Sequence, residues 1–343
     1  MRSKPSKLPK LQPLTHESPS IKLLPDLNHN NISAFLNTTT SSKSTPQLVP
    51  FFTVTNSVTR AGFKSRVGSI KGKPKLKNQD SVIIQANLMK IRGQYLFGVC
   101  DGHGQNGHLI SEHIKDNFSN LLQLHLPPEP NSDSAKNALI QATLKMEDSL
   151  KSTKIDRTFS GSTMITVLIT GSTVLTASLG DCKAVVGNSA SRWQAVPLYC
   201  LHNLQNKKER DRLVKNHARI AVEVVEETGE VIGSEKAYMG EENTPGLEIT
   251  RSIGDKIGKY IGVSSTPELK EYQLTPDDKF IIIGSSGLWK VLTDIEAVLI
   301  TRVGWEEKKV DMACEDLISE ATRRWQSQDK DKEDISVIVV FLG

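Results

Sequence analysis

Hydrophobic residues cluster along this chain in two textures. Short runs rich in Val and Ile predict strands at Ser81–Ala86, Gln94–Cys100, Thr163–Thr170, Thr173–Leu179, Lys183–Gly187, Phe280–Gly284 and Ser336–Leu342. Apolar residues three and four apart predict helices at Asn106–Leu122, Ser134–Ser152, Gln205–Lys215 and Lys308–Trp325. The strands between 163 and 187 follow one another through short turns, Gly171-Ser172 and Gly180-Asp181, so they read as antiparallel hairpins rather than βαβ units. Helices come in pairs between groups of strands, which favours antiparallel sheets with helices outside them.

The first 60 residues have neither period. They hold seven of the 15 prolines and the polar stretch Asn37–Thr45, so residues 1–60 are expected to be a disordered lead-in to one domain at 61–343. Ser18-Pro19 and Thr45-Pro46 suit a regulatory or docking tail, although a plain solvated extension fits equally. Charge sharpens the split. The net +4 of the whole chain conceals 13 Lys/Arg against two acids in residues 1–77, a local +11, which leaves −7 for the rest. A basic head on an acidic body argues against a nucleic-acid-binding core. No apolar run reaches the roughly 18–20 residues of a membrane helix, and no secretory leader or lipid-attachment motif is expected. Cys100, Cys182, Cys200 and Cys314 have no metal-binding spacing and fit reduced thiols, so the expected location is the cytoplasm, the nucleus or both.

The chemistry concentrates after the strand at Gln94–Cys100, in Asp101-Gly102-His103-Gly104-Gln-Asn-Gly107-His108. Gly102, Gly104 and Gly107 match a dinucleotide fingerprint in form, but no parallel strand with an acid follows about 20 residues on. A carboxylate at a strand end beside a glycine carbonyl suits a hard cation such as Mg²⁺ or Mn²⁺ instead. His103, His108 and His113 recur every five residues, a spacing that turns them away from one another on a helix, so they cannot share a zinc. Of the three, His103 is the candidate for chemistry. Gly284-Ser-Ser-Gly287 lacks the second glycine of a nucleophile elbow, because position 288 is Leu.

Taken together, Asn78-Gln79-Asp80-Ser81, Val99–Gly104, Ser160–Thr163, Ser178–Val185, Pro245-Gly246-Leu247, Thr250–Asp255, Pro267-Glu268, Gly284–Trp289 and Glu333–Val337 resemble, in order, the metal-dependent protein phosphatase 2C (PPM-type) family. The resemblance implies an α+β fold, a four-layer α/β/β/α sandwich of two antiparallel sheets flanked by helix pairs, with a flap-like insertion at about 200–245. It implies hydrolysis of phosphoserine and phosphothreonine in proteins by water activated between two Mg²⁺ or Mn²⁺ ions. On this pattern Asp101 bridges the metals, Gly102 offers its carbonyl, Asp80 and Glu333 are further metal residues, and Asp181 belongs to a weaker metal site. His103 is the general acid, and Lys75 holds the phosphate.

Several positions depart from that pattern. A metal-binding Asp is Ser286, a second acid is Lys290, the C-terminal Asp is Glu333, and Gln79 stands where many relatives have Glu. Leu201-His202-Asn203-Leu204 also replaces the usual Asp-His-x-Pro of the flap. The two losses at 286 and 290 shift the site by about +3, and two adjacent dications need carboxylates to offset their repulsion. Two metals are expected for the family, and one or none for this chain. The expected function is therefore a phosphatase with weakened activity. The alternative is an inactive pseudophosphatase that binds phosphoproteins or other partners. In either case the expected partners are phosphorylated proteins, with neither nucleic acid nor membrane, and the expected state is a monomer. Lys290 either reaches into the acidic cluster as a substitute cation or points to solvent.

Overall fold

The computed structural model describes residues 57–224, 231–328 and 331–343. Nearly all of the expected lead-in, residues 1–56, lies outside that range. Its last residues do not, because β1 (Val58–Arg66) already pairs along the C-terminal strand. A two-residue hairpin follows, β2 (Ser69–Ile70) and β3 (Lys73–Pro74), then β4 (Asp80–Ala86), β5 (Gln94–His103), α1 (Gly107–His125) and α2 (Ser132–Leu150). Next come β6 (Gly161–Thr170), β7 (Thr173–Leu179), β8 (Lys183–Asn188), β9 (Gln194–Pro197), α3 (Lys207–Lys215), β10 (Ala218–Val224), β11 (Val231–Met239) and β12 (Pro245–Leu247). The chain continues through β13 (Ile253–Gly254), α4 (Lys256–Tyr260), β14 (Glu268–Gln273), β15 (Asp278–Gly284), α5 (Ser286–Trp289), α6 (Asp294–Glu306), α7 (Val310–Gln326) and β16 (Ile335–Leu342).

Two antiparallel sheets carry the fold, one in the order β1-β16-β15-β8-β9 and the other in the order β14-β7-β6-β5-β4, with β13 pairing to β6. Phe97, Val99, Ile165 and Val167 from one sheet pack against Ile281, Ile283, Ile338 and Val340 from the other. The opposite faces are covered as well, by α1 and α2 on one side and by α6 and α7 on the other. This is the four-layer sandwich. Strands covered on both faces favour apolar residues on both, which is why β5, β6 and β16 are mostly hydrophobic rather than strictly alternating. The helices alternate instead. In α1, Ile110, Ile114, Phe118 and Leu122 recur every four residues and are all buried.

One expectation is corrected, and one helix was missed. The segments 173–179 and 183–187 do not form a hairpin: β7 pairs with β6 and β14, whereas β8 pairs with β15 and β9 in the other sheet. The chain changes layers at Gly180, whose φ of +106° is open to glycine and strained for other residues, and where a Cβ would lie 2.4 Å from Thr163 Cγ2. The helix α6 was not apparent from periodicity. Ile295, Leu299 and Val303 are exposed at 39–46%, so apolar residues lie on both faces of α6 and blur its period. Its sequence signal is local: Thr293 accepts from the Glu296 N–H while the Glu296 carboxylate accepts from the Thr293 N–H, a capping box.

Removing that cap by Thr293→Ala should cost about 1 kcal/mol, against about 2–5 kcal/mol for Leu317→Ala in the fully buried face of α7. Urea midpoints read both effects. An unmoved midpoint for Thr293→Ala would show that the box does not hold α6.

Candidate functional site

The two sheets deliver their strand ends to one cleft of about 380 Å³. Asp80 at the start of β4 pairs in register with Asp101 near the end of β5. Asp181 follows the change of layers at Gly180, Ser286 opens α5 directly after β15, and Glu333 and Asp334 precede β16. Close backbone approach at the end of β5 requires glycine. A Cβ on Gly102 would sit 2.4 Å from the Gly107 carbonyl oxygen, and Gly104 has a φ of +76°. Lys75, Gln79, Asp101, Gly102, His103, Asp181, Ser286, Lys290 and Glu333 all line the cleft, so the structure gathers the sequence-derived candidates. Asp80 lies beneath them, its carboxylate oxygens buried.

The far wall of the cleft is closed by hydrogen bonds. Ser286 donates its N–H and its hydroxyl to Asp101 Oδ2, at 3.0 and 2.6 Å, and its Oγ lies 2.8 Å from Glu333 Oε2. A hydroxyl has one proton, so only one of these carboxylates can receive it. Lys290 Nζ donates to Glu333 Oε1 at 2.6 Å and lies 3.9 Å from Glu248 Oε2. The solvent-pointing alternative for Lys290 is thereby set aside.

Burial raises the carboxyl pKa values. Asp80 is pushed well above the usual range by desolvation and then by Asp101. Neither of its oxygens accepts a hydrogen bond of good geometry among the described residues, and the nearby hydroxyls of Ser336 and Ser285 offset only part of the shift. Desolvation and the Glu333 charge raise Asp101. Asp181 is pushed to about 7 by desolvation and then by Asp101.

These contacts decide how a metal would fit. The buried, unsatisfied oxygens of Asp80, with Asp101 and the Gly102 carbonyl, are hard donors suited to one cation. Glu333 and one oxygen of Asp101 are already committed to Ser286 and Lys290. Among the described residues no three His, Cys, Asp or Glu side chains converge on a point that could hold a metal ion. The donor set does not fit a two-cation centre.

The near wall carries His103 and Lys75, each beside a carboxylate. His103 Nε2 lies 2.7 Å from Asp255 Oδ2, which also accepts from the Ser252 hydroxyl. Burial works against the imidazolium, but the charge and hydrogen bond of Asp255 outweigh it, so the His103 pKa is raised. Gly161 leaves room for this pair, since a Cβ there would lie 2.2 Å from Asp255 Oδ2. Lys75 stands 3.4 Å from Asp334 Oδ2. Asp334 is itself 4% exposed and accepts from the Gly68 and Gln79 N–H groups, which moors the β2–β3 hairpin beside the cleft. Gln79 also donates to the Gly104 carbonyl at 2.7 Å, so it holds the loop that follows β5. His108 and His113 stay apart from the site, the first beside Lys77 and the second bonded to Ser149.

A third wall comes from the insertion. β10, β11 and β12 form a small sheet beside α3, and Lys236 and residues 245–249 line the cleft. Buried Glu209 of α3 binds Arg212, Arg251 and the Thr250 hydroxyl, which keep its carboxyl well below the usual range even though burial opposes ionisation. His202 is fully buried, with Nδ1 accepting from the Gly180 N–H and Nε2 3.2 Å from Glu268. The altered Leu201–Leu204 segment therefore remains structural. Sequence reasoning missed the roles of Asp255, Glu248 and Lys236. Asp255 ends the recognisable Thr250–Asp255 segment and could have been found there. Glu248 and Lys236 have no local signal.

A family model described as protein phosphatase 2C matches residues 69–330. The probable protein phosphatase 2C 72 of Arabidopsis thaliana is 28% identical over 292 residues, spanning 80% of this chain and 84% of that relative. The probable protein phosphatase 2C 64 of Oryza sativa subsp. japonica is 30% identical over 275 residues, spanning 77% of this chain and 62% of that relative. Among solved structures, the serine-threonine phosphatase 2C from Toxoplasma gondii superposes with a TM-score of 0.70 at 19% identity, covering 83% of this chain and 95% of that one. A C. elegans sex determining protein superposes with a TM-score of 0.64 at 16% identity, covering 83% and 65%. At these identities the two structures speak to the fold.

The raised His103 pKa sets a sign. A raised folded-state pKa contributes stability below the unfolded value of about 6.5, and that contribution is lost as pH rises through the folded value. Asp255→Asn should lower the pH at which the His103 ring titrates by NMR. It should also destabilise the fold more at pH 6 than at pH 9. Equal destabilisation at both would show that the pair has no charge-dependent part.

Proposed function

Because the chain belongs to the protein phosphatase 2C family, whose members act on phosphorylated proteins, we propose that its cleft engages phosphoserine and phosphothreonine segments of proteins without two-metal hydrolysis. One observation carries this reading: the Ser286 hydroxyl lies between Asp101 and Glu333, 2.6 and 2.8 Å from their nearest carboxylate oxygens, and can give its single proton to one of them. A neutral hydroxyl there contributes no negative charge to offset two dications, and Lys290 adds a positive one. The remaining machinery suits binding. A phosphoryl group carries about −1.5 to −2 charge and offers acceptor oxygens. Lys75, Lys236 and Lys290 line the cleft as donors of the complementary sign, and the His103 ring lines it beside them.

A second reading keeps slow turnover with a single cation. The buried and unsatisfied carboxylate oxygens of Asp80 favour it. A bound cation would supply charge stabilisation at the phosphoryl oxygens, while His103, oriented by Asp255, would deliver the proton to the departing side-chain oxygen.

The wild-type chain should hydrolyse a phosphothreonine peptide in Mn²⁺ no faster than the metal-free control. Ser286→Asp combined with Lys290→Asp should add at least about 100-fold in Mn²⁺-dependent rate, or ~2.7 kcal/mol of barrier. If the double variant stays as inactive as its parent, the closed far wall is not what prevents hydrolysis. Calorimetric titration separates the two readings: no Mn²⁺ bound by the wild type favours binding alone, and one bound with slow turnover favours the second.

A further inference from the structure

Lys290 has a fixed base and a partly committed head. Its backbone N–H donates to the Ser286 carbonyl at 2.9 Å, closing the short α5. Below it, Trp289 Nε1 donates to the Gly284 carbonyl and Trp325 Nε1 to the Gly287 carbonyl, both buried. Gly287 packs so closely on the Asp334 carbonyl that a Cβ would lie 2.1 Å from its oxygen. The stem of Lys290 therefore springs from a closely packed corner where β15, α5 and the start of β16 meet. At its head, Glu333 takes one of the three ammonium N–H donors at 2.6 Å, and Glu248 at 3.9 Å lies beyond hydrogen-bond range. The side chain is 40% exposed and lines the cleft beside Asp101, Asp181 and Ser286. A cation so placed has donors to spare for an incoming acceptor. Being covalently attached, it is present whatever the metal concentration.

We propose that Lys290 is a tethered cation through which the cleft captures the phosphoryl group of a phosphoserine or phosphothreonine segment without any divalent metal. The proposal rests on the reading of the cleft as a phosphoprotein site and adds which group does the work. The phosphoryl oxygens would meet the ammonium groups of Lys290 and Lys75, which line the same cleft, as charge-assisted donors. Glu333 then acts as a positioning residue, since its Oε1 accepts from the Lys290 ammonium at 2.6 Å.

The test is fluorescence anisotropy of a labelled phosphothreonine peptide with the full chain, in EDTA and in Mn²⁺. The wild type should bind with the same Kd, to within about twofold, in both media, and Lys290→Gln should weaken binding in EDTA by about tenfold or more. Lys290→Arg should retain affinity to within about threefold, since the charge and donors persist. The double change Lys290→Gln with Glu333→Gln, which leaves no carboxylate unmatched, should lose as much as Lys290→Gln alone, and melting curves check that each variant is folded. Wild-type binding that needs Mn²⁺, or a folded Lys290→Gln that binds as tightly as the wild type, would overturn the proposal while leaving the phosphoprotein reading intact. If the wild type binds the peptide in neither medium, the phosphoprotein reading itself fails.

Discussion

Carboxyl groups brought together away from water cannot all remain ionised unless positive charge is supplied to them. This constraint governs the active end of the molecule. Two sheets packed face to face force their strand ends into one place, and those ends carry Asp80, Asp101, Asp181, Glu333 and Asp334. The inter-sheet core fixes the backbone there, so the acids cannot move apart. Charge must be balanced locally, by cations, protons or hydrogen-bond donors.

This chain balances it largely with its own atoms. Lys290 neutralises Glu333, Lys75 faces Asp334, and His103 pairs with Asp255. Ser286 supplies a hydroxyl and a backbone N–H to Asp101. Asp80 and Asp181 show the alternative outcome: burial raises their pKa values and favours the neutral acid, offset only in part by the Ser336 and Ser285 hydroxyls at Asp80 and by the charges of Lys290 and His103 at Asp181. The same substitutions that close the far wall therefore leave a cleft close to electrical balance. The lining also carries the side chains of Lys75, Lys236, Lys290 and His103.

The insertion that forms the third wall is joined to the domain through a buried ionic knot. Glu209, Arg212, Arg251 and Thr250 connect α3 to the segment leading into β13. Asp255, which orients His103, lies in that same segment, four residues after Arg251. The wall and the imidazole thus share one support, and the cleft is held by links that its lining residues do not reveal.

Continuous apolar runs and four-residue spacings were sufficient to locate the inner strands and most of the long helices, because those patterns follow directly from which faces are buried. The motif residues at 78–81, 99–104 and 284–289 were recognisable for a related reason: glycines required by backbone geometry and acids carried for their chemistry stand close together at strand ends and so appear in the chain as local signatures. Partnership between distant positions has no such signature. That β7 and β8 lie in different sheets, that Asp255 reaches His103 across 152 positions, and that Lys290 turns to Glu333 rather than to water depend on which elements pack together. Local sequence sets the conformation each segment prefers and the chemistry it carries. Only the tertiary packing brings those groups within hydrogen-bond range, because contact between residues far apart in the chain depends on which elements pack together.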